Sequence, residues 1–98
     1  MTTMTRSPWS TDLTVLCERL ARRLRSEGAA HPEVAAVALA VRGHHGLDRP
    51  DQAARLGLGD AELAAVEAGE VAWPDLPGPL ADEARALPGL DLTRLGLA

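Results

Sequence analysis

The side chains best suited to metal binding are few and scattered in this sequence. His44 and His45 are adjacent, whereas His31 and Cys17 lie far from them along the chain. A metal site usually takes ligands three or four residues apart on a helix, or paired cysteines, and neither spacing occurs here. We therefore expect the histidine pair to be a loop at the end of a helix, and we predict no metal and no cofactor.

Catalytic arrangements are also missing from the sequence. Cys17 falls within a leucine-rich helical pattern, where we expect it to be semi-buried and without a base beside it. Gly57 and Gly59 are not followed by the lysine of a phosphate-binding loop. The carboxylates of Asp60, Glu62, Glu67 and Glu70 cluster without any indication of a desolvated pocket. The sequence predicts no enzyme, no catalytic residue and no small-molecule substrate.

The composition favours one helical domain. The chain has 98 residues, enough for a single modest core, and 46% of them are hydrophobic. Its only aromatic residues are two tryptophans, so the core must be built from Leu, Val and Ala, which suits helices better than sheets. Residues 1–59 carry eight Arg against six acidic residues, and residues 60–98 carry two against eight. The single cysteine and the lack of a long apolar run predict a cytoplasmic protein that does not enter a membrane.

The N-terminal region predicts a flexible tail, residues 1–8, followed by a single helical domain, residues 9–98. Within this domain, residues 9–28 are the added amphipathic-helix segment, in which Trp9 and the cap-type residues 10–12 precede a helix from about Asp12 to Ser26. Its predicted buried stripe consists of Leu13, Leu16, Leu20 and Leu24. We expect this stripe either to cover the core or to form a dimer interface. The outward side carries Arg19, Arg22, Arg23 and Arg25, which predict a solvated face or, alternatively, a patch for phosphate or an acidic partner.

Residues 32–98 contain the other predicted helices. The first spans about residues 33–42 and buries Val34, Val37, Ala38 and Val41. After residue 70, Trp73 is predicted to be a hydrophobic plug. A helix from Pro79 to about Leu87 is expected to bury Leu80, Ala84 and Leu87. Asp91 then caps a last helical turn, whose leucines must cover the core or a partner.

Two short helices joined by a glycine turn are predicted between residues 48 and 69. Asp48 is a suitable N-cap, and Pro50 sits in the first turn, where its missing N–H costs nothing. The first of these helices ends near Leu56, and Gly57 is free to take a positive φ. The second begins at Asp60 and stops at Gly69, with Leu63 and Val66 facing inward. Helix, tight turn and helix form the helix-turn-helix motif.

This stretch resembles the lambda-repressor/Cro-type helix-turn-helix proteins, the xenobiotic-response-element family. The matching residues are Arg42-Gly43-His44-His45-Gly46-Leu47 (R-x-x-x-G-L), Asp48, Ala53, Gly57-Leu58, Leu63, Val66 and Glu67-Ala68-Gly69 (E-x-G). The resemblance covers roughly residues 34–92. It implies a compact five-helix, all-α domain whose second motif helix enters the DNA major groove. In such a complex Arg42, Arg49 and Arg55 would contact phosphates.

Two departures from the family weigh against base reading. Gln52 stands where the family usually has a buried leucine. The outward side of the second motif helix presents Ala61, Ala64, Ala65 and Ala68, flanked by acidic residues. Alanine cannot hydrogen-bond to a base edge, and carboxylates repel phosphates.

The sequence therefore favours a small, non-catalytic regulatory module that contacts a protein partner or a second copy of itself. Its predicted contact residues are Asp60, Ala61, Glu62, Ala64, Ala65 and Ala68. The alternative is a sequence-specific, DNA-binding transcriptional regulator. A third possibility is that the alanines are merely solvated while the leucine-rich ends of the chain make the contacts.

Overall fold

The computed structural model describes residues 13–97. Over this range the chain forms five α-helices and no β-strand, which confirms the all-α prediction. They are α1 (Leu13–Ser26), α2 (Pro32–His45), α3 (Arg49–Leu56), α4 (Asp60–Glu67) and α5 (Gly78–Ala86), with a 3-10 turn at Trp73–Asp75. The predicted tail, Trp9 and the cap-type residues 10–12 lie outside the described residues.

Helix α2 is the centre of the domain and packs against α1, α4 and α5. Its buried residues are Pro32, Val34, Ala35, Ala36, Val37, Ala38 and Val41, so it is apolar around most of its circumference, as expected of a core helix. All four predicted inward residues are among them. The helix runs three residues beyond its predicted end, and His44 and His45 form its last turn rather than a loop. Gly46 ends it in a left-handed conformation, with φ 65°.

Helix α1 contacts α2 through a different face from the predicted one. The buried residues are Thr14, Cys17 and Ala21, while Leu16 is 45% exposed. Leu13 and Leu20 lie only partly buried at the edge of the core. Small side chains at the centre of the interface let the two helix axes approach closely. The Cys17 thiol of α1 accordingly reaches the backbone oxygen of Ala36 on α2. The added helix thus covers its own domain core.

The two motif helices have the predicted ends. Asp48 caps α3 by accepting a hydrogen bond from the Asp51 backbone N–H, at 3.0 Å. Gly57 ends α3 with φ 72°, and only residues 57–59 separate it from α4. Leu63 and Val66 are completely buried, as predicted, and attach α4 to the core. Burial of each such side chain contributes about 2 kcal/mol.

The segment after α4 also returns to the core. Leu80, Ala84 and Leu87 are buried as predicted, and Leu92 and Leu95 are only 8% exposed. Asp91 caps a hydrogen-bonded turn through the Arg94 N–H, although no regular helix follows. The C-terminal leucines therefore cover this chain's own core within the described residues. Trp73 is partly buried against that core, and the Arg85 guanidinium lies 5.6 Å from its ring centroid.

Candidate functional site

The α4 outer face is the surface that the sequence predicts as the partner contact. It consists of Asp60, Ala61, Glu62, Ala64, Ala65 and Ala68, and the structure places all six on or beside one short helix. Asp60, Ala61, Glu62 and Ala68 are exposed, whereas Ala64 and Ala65 are half-buried. Access to this face is therefore greatest at its two ends.

The chemistry of the face is apolar and acidic. Helix α4 has the sequence DAELAAVE, so no Arg, Lys, Asn or Gln projects from it. Glu62 and Glu70 are exposed and form no ion pair with any of residues 13–97. Their free charges make the field around the face negative, which repels phosphate and attracts a cationic partner.

Arg49 lies beside this face and is bound to one of its residues. The Arg49 guanidinium donates two hydrogen bonds to the Asp60 carboxylate, at 2.9 and 3.2 Å. Donation from Arg49 lowers the pKa of Asp60 below its usual value, and Asp60 in turn raises the pKa of Arg49. Both side chains are nearly half exposed, so the bridge joins the start of α3 to the start of α4 at the surface.

Arg42 is held more deeply than Arg49. Its Nε and Nη2 atoms donate to the two carboxylate oxygens of Glu67, at 2.9 and 3.0 Å. The Glu67 side chain is only 9% exposed. Bidentate pairing in a partly dehydrated setting is stronger than an exposed ion pair, so this contact fixes the end of α4 against α2.

Arg55 belongs to a network that joins α3 to α5. It donates two hydrogen bonds to Glu83, at 2.8 and 2.9 Å, and two to the Gln52 side-chain oxygen. Donation from Arg55, assisted by His45, lowers the pKa of Glu83 to about 2. His45 lies 2.9 Å from the same carboxylate. Glu83 is therefore an anion throughout the physiological pH range.

Gln52 is buried completely. It stands at the position where the helix-turn-helix family that the sequence resembles usually has leucine. Its oxygen accepts from Arg55, but its Nε2 atom has no hydrogen-bond partner among the described residues. An unpaired buried amide reduces stability. Gln52 thus places an unpaired polar group in the core and does not alter the surface of the domain.

All three arginines predicted to contact phosphates are bound to carboxylates of this chain. The sequence did not reveal these partners, because they lie 11, 25 and 28 residues away. Phosphate contact at any of the three positions would require competition with an existing bidentate ion pair. The competition is easiest at Arg49, whose pair is the most exposed, and hardest at Arg42, whose partner is nearly buried.

Metal-binding clusters and clefts are the two other kinds of site that the described part of the chain could form. No group of three or more His, Cys, Asp or Glu side chains there is arranged to hold a metal ion. A cleft of about 550 Å³ lies between α2, α3 and α5, with Leu56, Leu87 and Pro79 among its apolar residues and His44, Arg55 and Glu83 among its polar ones. Its arginine and glutamate are already paired with each other. None of the helices within residues 13–97 is long and apolar enough to cross a membrane.

Comparison of the chain with protein families, with curated proteins and with solved structures gave no match.

Proposed function

We propose that this protein is a non-catalytic regulatory module that keeps a helix-turn-helix arrangement but uses the α4 outer face to contact another protein. The observation that carries the proposal is the pairing of Arg42, Arg49 and Arg55 with carboxylates. The arginines nearest the motif are neutralised, and the free charges on the face, those of Glu62 and Glu70, are negative.

The shape of the face supports a helical or flat protein partner. Alanine side chains lose no rotamer entropy on binding and permit close approach of a second backbone. Glu62 and Glu70 would then select Lys or Arg at the edges of the contact. The partner is either a second copy of this chain or a different protein with a basic rim. The buried Cys17 thiol supports the further proposal of a reducing compartment such as the cytoplasm.

DNA binding is the second candidate function. The Asp48 cap, the left-handed Gly57 and the buried Leu63 and Val66 build the motif that DNA-binding relatives of the resembling family use. On this alternative, α4 would approach the major groove with alanine methyl groups and backbone only. Specificity would then have to come from thymine methyl contacts and DNA shape.

Site-specific photo-crosslinking tests the proposal. A photoreactive amino acid replaces Ala61 or Ala68, the two exposed alanines of the face, and separately Ala54, an exposed alanine on α3 as a control. We expect the first two positions to yield a defined protein adduct that the Ala54 position does not yield. Glu62→Lys combined with Glu70→Lys should remove that adduct. Nucleic-acid adducts at Ala61, or the same protein adducts at all three positions, would contradict the proposal.

Sedimentation of the purified full-length chain identifies the partner class. If the face binds a second copy, Ala61→Arg should convert a dimer to a monomer, whereas Ala54→Arg should not. A wild-type chain that sediments as a monomer points instead to a different protein as partner.

A further inference from the structure

A second, polar cleft lies away from α4 and shares no residue with the α4 outer face or with the larger cleft. Its volume is about 260 Å³, and it is lined by Glu18, Arg22, Arg25, Glu33, Arg94 and Leu95. These residues come from α1, the first turn of α2 and the C-terminal turn. Three guanidinium groups and two carboxylates therefore meet in one open space.

Two of the guanidiniums have carboxylate partners within the cleft. Arg94 donates to both oxygens of Glu18, at 3.0 and 3.2 Å, and Arg25 donates to Glu33. The Arg25 and Arg94 side chains are 61% and 48% exposed. Ion pairs this exposed contribute little to stability, so a better anion can replace the carboxylate at small cost.

Arg22 is the cleft arginine without such a partner. It is exposed and forms no ion pair or hydrogen bond through its side chain with any of residues 13–97. The lining arginines and glutamates therefore leave an excess of one positive charge in the cleft. Arg19, on the same helix and equally without an ion pair in the described range, does not line the cleft.

We propose that this cleft binds a phosphate dianion. A phosphate dianion carries more charge and more acceptor oxygens than a carboxylate, and guanidinium groups match its geometry bidentately. In the bound state phosphate displaces Glu33 and Glu18 as acceptors for Arg25 and Arg94, while Arg22 supplies the uncompensated charge. The phosphate belongs either to free inorganic phosphate or to a phosphorylated side chain of a protein segment.

The test is a titration of the isotope-labelled full-length chain at constant ionic strength, with NMR spectra recorded at each step. Inorganic phosphate and phosphoserine are the probes, and chloride is the reference anion. We expect saturable shifts of the arginine Nε–H signals of Arg22, Arg25 and Arg94. Arg22→Gln should weaken binding about tenfold, whereas Arg19→Gln, the matched control, should leave it unchanged. Glu33→Gln should tighten binding, because it removes the competing carboxylate.

A variant that unfolds would lose phosphate binding. Tighter binding by Glu33→Gln therefore cannot be a consequence of unfolding. Tighter binding of phosphoserine identifies a phosphorylated segment as the source, and equal binding identifies free phosphate. The proposal is overturned by unsaturable shifts, by equal effects of the Arg22 and Arg19 variants, or by a short DNA duplex binding this cleft more tightly than phosphoserine.

Discussion

Arg42, in the last turn of α2, and Glu67, the last residue of α4, form a bidentate ion pair with N–O distances of 2.9 and 3.0 Å. This pair fixes the C-terminal end of α4 against the central helix. It also removes Arg42 from the set of arginines available to a nucleic acid. Its partial burial makes it the strongest candidate for a stabilising ion pair among the described residues.

Removal of either partner should therefore destabilise the domain. Arg42→Met and Glu67→Gln should each lower the free energy of unfolding by about 2 kcal/mol, since each leaves a partly buried charge without its partner. The double variant should lose less than the sum of the two. Urea denaturation measures all three. Glu27→Gln, which breaks the exposed Arg23 pair, is the control and should change stability by less than about 0.5 kcal/mol.

Gly69 occupies a position that no other residue can take without strain. Its φ is +79°, and a Cβ atom added there would lie 2.6 Å from the Ala29 Cβ. Its carbonyl also accepts a hydrogen bond from the His31 N–H, at 2.8 Å. Gly69→Ala should lower the free energy of unfolding by about 3 kcal/mol, because steric overlap adds to the unfavourable φ. Gly57→Ala, with φ +72° but open space around it, should cost only about 1 kcal/mol. Equal losses in thermal denaturation would show that the contact with Ala29 does not matter.

Replacement of Gln52 by leucine should stabilise the protein. The substitution removes the buried Nε2 that lacks a partner within residues 13–97, and Arg55 keeps its two bonds to Glu83. We expect a gain of about 1 kcal/mol in the free energy of unfolding, measured by urea denaturation. A loss of stability would mean that the bonds from Arg55 to the Gln52 oxygen outweigh the unpaired amide.

The Cys17 thiol should be inert while the protein is folded. Burial raises its pKa to about 11, so almost none of it is thiolate at neutral pH. Its reaction with an aromatic disulfide reagent should proceed only through unfolding and should accelerate in proportion to the unfolded fraction as urea is added. Rapid reaction in native buffer would show that α1 detaches from α2 much more easily than the rest of the core opens.

Acid should release the contact between α3 and α5. Because the pKa of Glu83 is about 2 in the folded chain and below its ordinary value of 4.5, its charge stabilises the fold above pH 4.5. That contribution falls as the pH drops from about 4.5 towards 2 and is absent at lower pH. Glu83→Gln should therefore be less stable than wild type at neutral pH, with the difference vanishing near pH 2. Thermal denaturation across this range follows the effect, and a pH-independent difference would contradict it.

Local signals in the sequence predicted most of the helices, because caps and breakers act over a few residues. Asp48, Pro50 and Gly57 bound α3 as expected, and Leu63 and Val66 are fully buried. The predicted orientation of α1 was wrong. The prediction chose the leucine stripe because it is larger and more apolar than the face that packs against α2. Close contact with α2 favours the small residues Cys17 and Ala21, and this depends on the shape of a helix that lies elsewhere in the chain.

The residues of the candidate site could be predicted from the sequence, but the ion pairs around it could not. The alanine and acidic residues of the α4 outer face are local features, and the structure places them together on one helix. The ion pairs of Arg42, Arg49 and Arg55 depend on how three helices pack, so their partners could not be read from spacing. Glu83 in particular showed no sequence signal, because it lies on α5, outside the motif.

Binding of a labelled random DNA duplex at low salt tests most directly whether α4 contacts protein rather than DNA. Fluorescence anisotropy of the duplex, titrated with the full-length chain, should stay flat at about 50 mM salt, because the arginines near the motif are paired and the free charges of α4 are negative. Saturable binding that weakens steeply as salt rises, and that is lost in an Ala61→Asp variant, would contradict this account.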